Sequence, residues 1–238
     1  MVSVLPSIKH QRNLILSRLN QNEIALLRHA MEWVDLPLGE IVHEAQSPIS
    51  YLYFPQRSMI SLVSLMENGA TTEIGIIGRR GLVGLPAVLG GNQTCYRAIV
   101  QVSGRAIRIP ASVFLEAFAR SPNLQSIVLR YVQARLTHVA QTAACNRQHN
   151  IEQRLARWLL IVQDSIEQET LPLTHEFIAN MLGTRRSGVT VAVRSLQKSG
   201  VIDHQRGSIR VRDRFALEAT ACECYSVVRR ETERLMDF

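Results

Sequence analysis

From about Leu27 to Pro110 the apolar positions come in short stretches. About every eight to twelve residues they are cut by turn-forming sequence: Leu38-Gly39, Gln46-Ser47-Pro48, Asn68-Gly69, Gly78-Arg79-Arg80-Gly81 and Gly90-Gly91-Asn92. Tyr51-Leu52-Tyr53-Phe54, Met59 to Leu65 and Ile99 to Ile109 predict strands. In the last of these, Arg108 between Ile107 and Ile109 gives the alternation of a half-buried strand. No helical period of useful length runs through this region, and an all-β sandwich or roll is expected.

After Pro110 the pattern changes. Ser121-Pro122 is a good helix start, with proline at the first helical position, and nothing breaks the helix until the mid-140s. Val128, Val132, Leu136, Val139 and Ala143 recur at helical steps and make one apolar stripe. Such a stripe can pack against its own β-domain or against a second copy of itself. A further helix is predicted from about Ile151 to Ile166, with Leu155, Trp158, Leu159 and Val162 as its buried face and Arg154 and Arg157 among its polar positions.

The segment Leu173 to Val189 has the grammar of a helix-turn-helix. Thr174 can cap a short helix whose inward face is Phe177, Ile178 and Met181/Leu182. Gly183 permits the positive φ of a tight turn, and Thr184 is placed to cap a second helix held down by Val189, Val193 and Leu196. The opposite face then carries Arg185, Arg186, Ser187, Thr190 and Arg194, which with Thr184 are the expected DNA contacts of this helix, Arg185, Arg186, Ser187 and Thr190 at base edges. Arginines at the start of an exposed helix suit guanine O6 and N7, which accept two bonds from one guanidinium. Alone, the pattern also fits a helical hairpin with a solvated basic face. The residues after this helix tip the balance: Ser199-Gly200-Val201-Ile202 leads into a strand, His204-Gln205-Arg206-Gly207 makes a turn, and Ile209 to Asp213 returns as an alternating strand. That is a β-wing whose Arg206 and Arg210 suit phosphate.

Composition sharpens this picture. At 238 residues and 46% hydrophobic the chain can bury two modest cores, which excludes a disordered tail protein. Its longest apolar runs fall short of the roughly 20 residues of a membrane span, and no leader pattern opens it, so a cytoplasmic location is expected. The formal charge of +7 favours a polyanionic partner. Most of the excess is local: Thr174 to Arg214 holds eight basic residues against three acidic ones. Enzyme signatures are missing, with no G-x-S-x-G, no Walker loop, and no second histidine four residues after His43 or His175. Gly75, Gly78, Gly81 and Gly84 lack the Lys-Ser/Thr of a phosphate loop and read as turn glycines. Cys95, Cys145, Cys222 and Cys224 make no disulfide framework and show no C-x-x-C spacing. Cys222-x-Cys224 reads as two small apolar residues near a tail helix, and neither a metal nor a cofactor is expected.

With these elements in order, the chain resembles the Crp-Fnr regulators over nearly its whole length. The resemblance runs through Tyr53-Phe54-Pro55, the Glu73-Ile74-Gly75 to Gly84 glycine series, Gly104-x-Ala106, Thr184-Arg185-Arg186 and Arg206-Gly207. It implies an α+β architecture: an N-terminal β-roll of the cyclic-nucleotide-binding type (1–118), a long dimerisation helix (119–147), a winged helix-turn-helix (148–214) and a C-terminal helical tail (215–238). It also implies a homodimer on double-stranded DNA, joined along the Val128 to Ala143 stripe and acting through RNA polymerase.

The chain departs from the cyclic-AMP-binding members. Leu82 stands where they have a glutamate, and Thr94-Cys95 where they have an arginine-serine pair; Arg97 is out of register by three residues. No cysteine precedes Cys95, so the iron-sulfur ligands of the oxygen sensors are missing too. Ser187 replaces a glutamate that contacts cytosine. No binding of a cyclic nucleotide is expected; the alternative is a β-roll that still takes such a nucleotide or another small effector to gate DNA binding.

Overall fold

The computed structural model describes residues 12–166, 170–205 and 207–236. Its contacts group into two compact units: Ile77–Gln133 with the chain up to Leu62, and Val63–Ile76 with the chain from Ala134.

The first unit opens with helix α1 (Gln21–Leu27), which is held by a capping box between Asn20 and Glu23. Strands β1 (Glu32–Leu36), β2 (Ile41–His43), β3 (Tyr51–Pro55) and β4 (Met59–Leu65) follow; the end of β4 and nearly all of β5 (Thr71–Ile77), next in the chain, belong to the second unit. Then come the short α2 (Leu85–Val88), β6 (Tyr96–Val102), β7 (Gly104–Pro110) and α3 (Ala111–Arg120). One sheet has the order β1-β7-β3 and the other β2-β6-β4-β5, as a β-roll requires. The predicted turns are where the chain reverses, and Gly39, Gln46, Gly69, Gly90 and Asn92 all take positive φ.

Two features differ from the sequence reading. Ile99 to Ile109 is not one strand but the end of β6 and most of β7, broken at Ser103. At Gly104, which opens β7, the backbone comes close to the chain between β3 and β4: a Cβ there would lie 2.7 Å from the Arg57 carbonyl oxygen. The residues after Pro110 form α3 before the long helix begins. Its Ala111, Phe114 and Ala117 are buried, a three-residue spacing too short to stand out as a period.

Helix α4 (Pro122–Gln148) is continuous across the division between the units. Ser121 starts it, its hydroxyl accepting from Leu124 N at 3.1 Å and donating to Glu23 at 2.6 Å. Burial works against the Glu23 anion, but bonds from Ser121, Asn20 and Asn123 hold its carboxyl below the ordinary value. Along α4, Val128 is fully buried, whereas Leu129, Leu136 and Val139 are 55%, 66% and 49% exposed.

The second unit continues with α5 (Ile151–Ile166), β8 (Thr170–Leu171), α6 (His175–Leu182), α7 (Arg186–Lys198), β9 (Ile202–Gln205), β10 (Ser208–Val211), α8 (Arg214–Thr220) and α9 (Cys224–Met236). Leu155, Trp158, Leu159 and Val162 of α5 are buried as their spacing predicts. Arg157, expected among the polar positions of this helix, is 5% exposed, and its Nη2 donates to Thr142 Oγ1 at 2.7 Å. Trp158 Nε1 donates to Glu73 Oε1 at 2.9 Å in the β4–β5 hairpin. No helix among the described residues is long and apolar enough to cross a membrane.

Candidate nucleic-acid interface

Thr174 caps α6 as its position predicts, its Oγ1 accepting from Phe177 N at 3.1 Å. Ile178, Met181 and Leu182 are buried, and Phe177 lies against Trp158 with ring centroids 6.0 Å apart. Gly183 ends the helix at φ 56°, so the chain turns without a Cβ penalty. The second helix starts one residue later than its sequence suggests. Arg185, not Thr184, is the N-cap, and no side chain caps the helix. Thr184 N is instead spent on the Ala179 carbonyl at 2.9 Å, which closes the turn after α6.

Helix α7 divides cleanly. Val189, Ala192, Val193 and Leu196 are buried, while Arg185, Arg186, Ser187 and Arg194 are exposed. Gly188 lets the helix approach α5 closely: a Cβ there would lie 2.8 Å from Ile151 Cδ1. Thr190 is partly committed, its hydroxyl donating to the Arg186 carbonyl at 3.0 Å and lying 3.1 Å from His175 Nδ1. With its proton used, Thr190 Oγ1 accepts from His175 Nδ1–H. His175 also stacks on His204 of β9, with centroids 4.4 Å apart, and so ties α6 to the wing. Burial first, then the charges of His204, Arg186 and Arg194, hold its pKa below the ordinary imidazole value. Val191, 68% exposed on the outer face beside Ser187 and Arg194, was not picked out by sequence reasoning. Its place outside the 189–193–196 buried series was the available signal.

The wing is β9 and β10, paired from Ser208↔Gln205 to Val211↔Ile202. The two-residue β8 adds a third strand through Ile209↔Leu171. Arg210 is exposed on β10, while the expected Arg206 lies outside the described residues. Two other basic residues serve the fold. Arg212 pairs with Asp203 across the wing. Arg214 donates to Asp164 and Gln163 at 2.8 Å and to Glu218 at 3.0 Å, joining α5 to α8. In the β-roll, Leu82 is 1% exposed and Arg97 is paired with Glu44 at 2.8 Å. The fold also gathers four residues that the sequence reading kept apart, Cys145, His149, Cys222 and Cys224.

Residues 33–121 match the model of the cyclic nucleotide-binding domain, and residues 153–220 match that of the Crp-like helix-turn-helix domain. The chain belongs to the Crp-Fnr family of DNA-binding transcription regulators. The global nitrogen regulator of Synechococcus elongatus is 21% identical over 215 residues, 83% of this regulator and 96% of that protein. Among solved structures, FixK2 from Bradyrhizobium japonicum superposes with a TM-score of 0.71 at 15% identity, covering 81% of this chain and 98% of that one. A crp/fnr-family structure from Eubacterium rectale gives 0.68 at 20% identity, covering 87% and 96%. At such identities the structural likeness speaks for the fold of this Crp-Fnr regulator, and its chemistry rests on its own residues.

Proposed function

We propose that the regulator acts as a homodimer on a near-palindromic operator, with one α7 from each copy entering the major groove. The division of α7 carries this reading, since an apolar inner face fixes the helix and leaves Arg185, Arg186, Ser187 and Arg194 outermost. In that pose Arg185 and Arg186 approach guanine edges and Val191 packs on a thymine methyl. Ser187 offers a hydroxyl where other members offer a carboxylate, so operator preference differs at that base pair. Thr184 and Thr190 support the turn and the helix start, while Arg206 and Arg210 take phosphate. Such a dimer works in the cytoplasm by contact with RNA polymerase.

The match of residues 33–121 favours a second reading, in which the β-roll binds a small effector that gates DNA binding. The residues argue against a cyclic nucleotide as that effector. Leu82 replaces a ribose contact, and Arg97 is already engaged by Glu44, so a buried cyclic phosphate is poorly compensated for its lost hydration.

Gel shifts at several salt concentrations test the DNA pose. Arg186→Ala is expected to cost about 1–3 kcal/mol on the preferred site and little on unrelated DNA. Arg210→Ala is expected to weaken all sequences alike and to lower the salt slope by about one. Equal loss of specific and non-specific binding in Arg186→Ala would show that this arginine only anchors phosphate.

A further inference from the structure

The end of α4 and the turn between α8 and α9 bring four metal-ligating side chains to one point. Cys145 and His149 stand four residues apart and so share a face of the helix end. Cys222 and Cys224 flank Glu223 where the chain enters α9. Cys145 Sγ lies 3.4 Å from Cys222 Sγ, and Cys224 Sγ lies 3.6 Å from His149 Nδ1. All four donor atoms lie within 4.8 Å of one another. A disulfide needs its sulfurs at about 2.05 Å, and these cysteines are free. Ligands at about 2.3 Å for sulfur and about 2.0 Å for nitrogen, arranged tetrahedrally around one zinc ion, stand about 3.5–3.8 Å from each other.

We propose that Cys145, His149, Cys222 and Cys224 form a Cys3His site for a single tetrahedral zinc ion, which clamps the end of α4 to the start of α9. The surroundings support it. His149 Nε2 lies 3.2 Å from a Glu223 carboxylate oxygen, which fixes that nitrogen as the N–H and turns Nδ1 toward the sulfurs; this is the carboxylate–histidine–metal arrangement. Gln141 Nε2 donates to Cys224 Sγ at 3.1 Å, an outer-shell bond that suits a thiolate ligand. The cysteines are 0%, 4% and 1% exposed. Ordinary core packing accounts for three buried thiols. It does not account for an imidazole directed at them with a carboxylate on its far nitrogen.

The donor set also selects the ion. Three thiolates and an imidazole in a closed tetrahedron suit zinc, whereas magnesium and calcium take oxygen ligands. A four-iron cluster holds its cysteine sulfurs on separate irons around an inorganic core, a wider spacing than four donors within 4.8 Å. Four protein ligands leave no open position, so the ion is structural, and its binding free energy adds to the folding free energy of the second unit.

The test uses the full-length protein purified under reducing conditions without chelator. Plasma mass spectrometry should find one zinc per chain, and cobalt substitution should give the strong visible bands of a tetrahedral thiolate site. Removing the metal with a high-affinity chelator should lower the melting temperature, and added zinc should restore it. Cys224→Ser should lose stoichiometric zinc, whereas Cys95→Ser, which changes an exposed cysteine outside the cluster, should keep it. His149→Cys should keep zinc and shift the cobalt spectrum toward a four-sulfur site, which guards against reading misfolding as metal loss. Reduced, folded protein that neither contains nor takes up zinc would overturn the proposal. So would a Cys145–Cys222 disulfide in the freshly purified protein, or iron with acid-labile sulfide in place of zinc.

Discussion

Replacing Leu136 with glutamate tests the proposed dimer face, because Leu136 sits in the middle of an outward apolar line of Leu129, half-buried Val132, Leu136, Val139 and Ala143, at steps of three, four, three and four. Leu136 is 66% exposed in the single chain, Leu129 55% and Val139 49%. Full burial of such a side chain is worth about 1.5–3 kcal/mol, so the exposed share of Leu136 represents about 1–2 kcal/mol per copy. Both copies lose it in the mutant, and a two-fold axis sets the two new carboxylates near each other in a drying interface. The dimer constant should therefore weaken on the order of 100-fold or more, since each 1.4 kcal/mol is about tenfold. Sedimentation velocity across a concentration series reads this directly. Val128→Ala is the control, because Val128 is fully buried within its own unit. Losing two buried methyls there should destabilise the fold by about 2 kcal/mol and leave the assembly state unchanged. A Leu136→Glu protein that sediments as a dimer at low concentration, or a folded Val128→Ala protein that is monomeric, would refute the assignment of this face.

Arg214→Met should lower the thermal midpoint, by an amount equivalent to about 1–3 kcal/mol after allowing for the partial exposure of the pair, while leaving the salt slope of DNA binding unchanged; a changed slope in gel shifts would place Arg214 on phosphate instead. Stability should fall as pH drops below about 6.5, because burial, with Arg135 and Arg157 at His138 and with His204 and Arg186 at His175, lowers both histidines' pKa in the folded state. The unfolded chain then binds more protons in that window, so their contribution is intact above the unfolded pKa and lost as pH falls toward the folded one. Thermal melts across the window check this, and His138→Gln should flatten the dependence; an unchanged slope removes His138 from the account. Calorimetry with cyclic AMP and cyclic GMP should show no specific binding, and micromolar affinity for either would restore the cyclic-nucleotide reading of the β-roll.

The winged helix was legible because each of its parts is local. A threonine cap, a glycine at positive φ and a three-four apolar series are all set by neighbours within a few residues, and Thr174, Gly183 and Val189/Val193/Leu196 take the expected positions. The arginines were harder to sort, since charge in a sequence does not say what it faces. Arg185, Arg186 and Arg194 are exposed, but Arg157, Arg212 and Arg214 are spent on Thr142, Asp203 and Asp164. The Cys145–His149–Cys222–Cys224 cluster lay beyond local reading altogether: Cys145 and Cys222 are 77 residues apart in the chain, and only the packing of α4 against the turn before α9 makes them neighbours.

The proposed dimer face is a third case, in which the expected stripe began at Val128. Val128 and Leu129 are adjacent apolar residues, and either extends the Val132–Leu136–Val139 line. At about 100° per residue, Val128 lies about 80° around the helix from Leu136, whereas Leu129 lies about 20° from it. A line that stays straight over four turns needs the smaller angle, and the burial agrees, with Val128 at 0% and Leu129 at 55% exposed. One helix thus turns one apolar flank toward its own β-roll while a neighbouring flank runs outward. The three-four alternation is the 3.5-residue repeat of two helices wound together. An outward line of that period suits a second helix wound against it, which is why it is the face the proposed dimer would use. Leu129→Glu therefore belongs beside Leu136→Glu: it should separate the copies with little effect on the folding of one chain, and Val128→Glu should do the reverse by preventing that chain from folding.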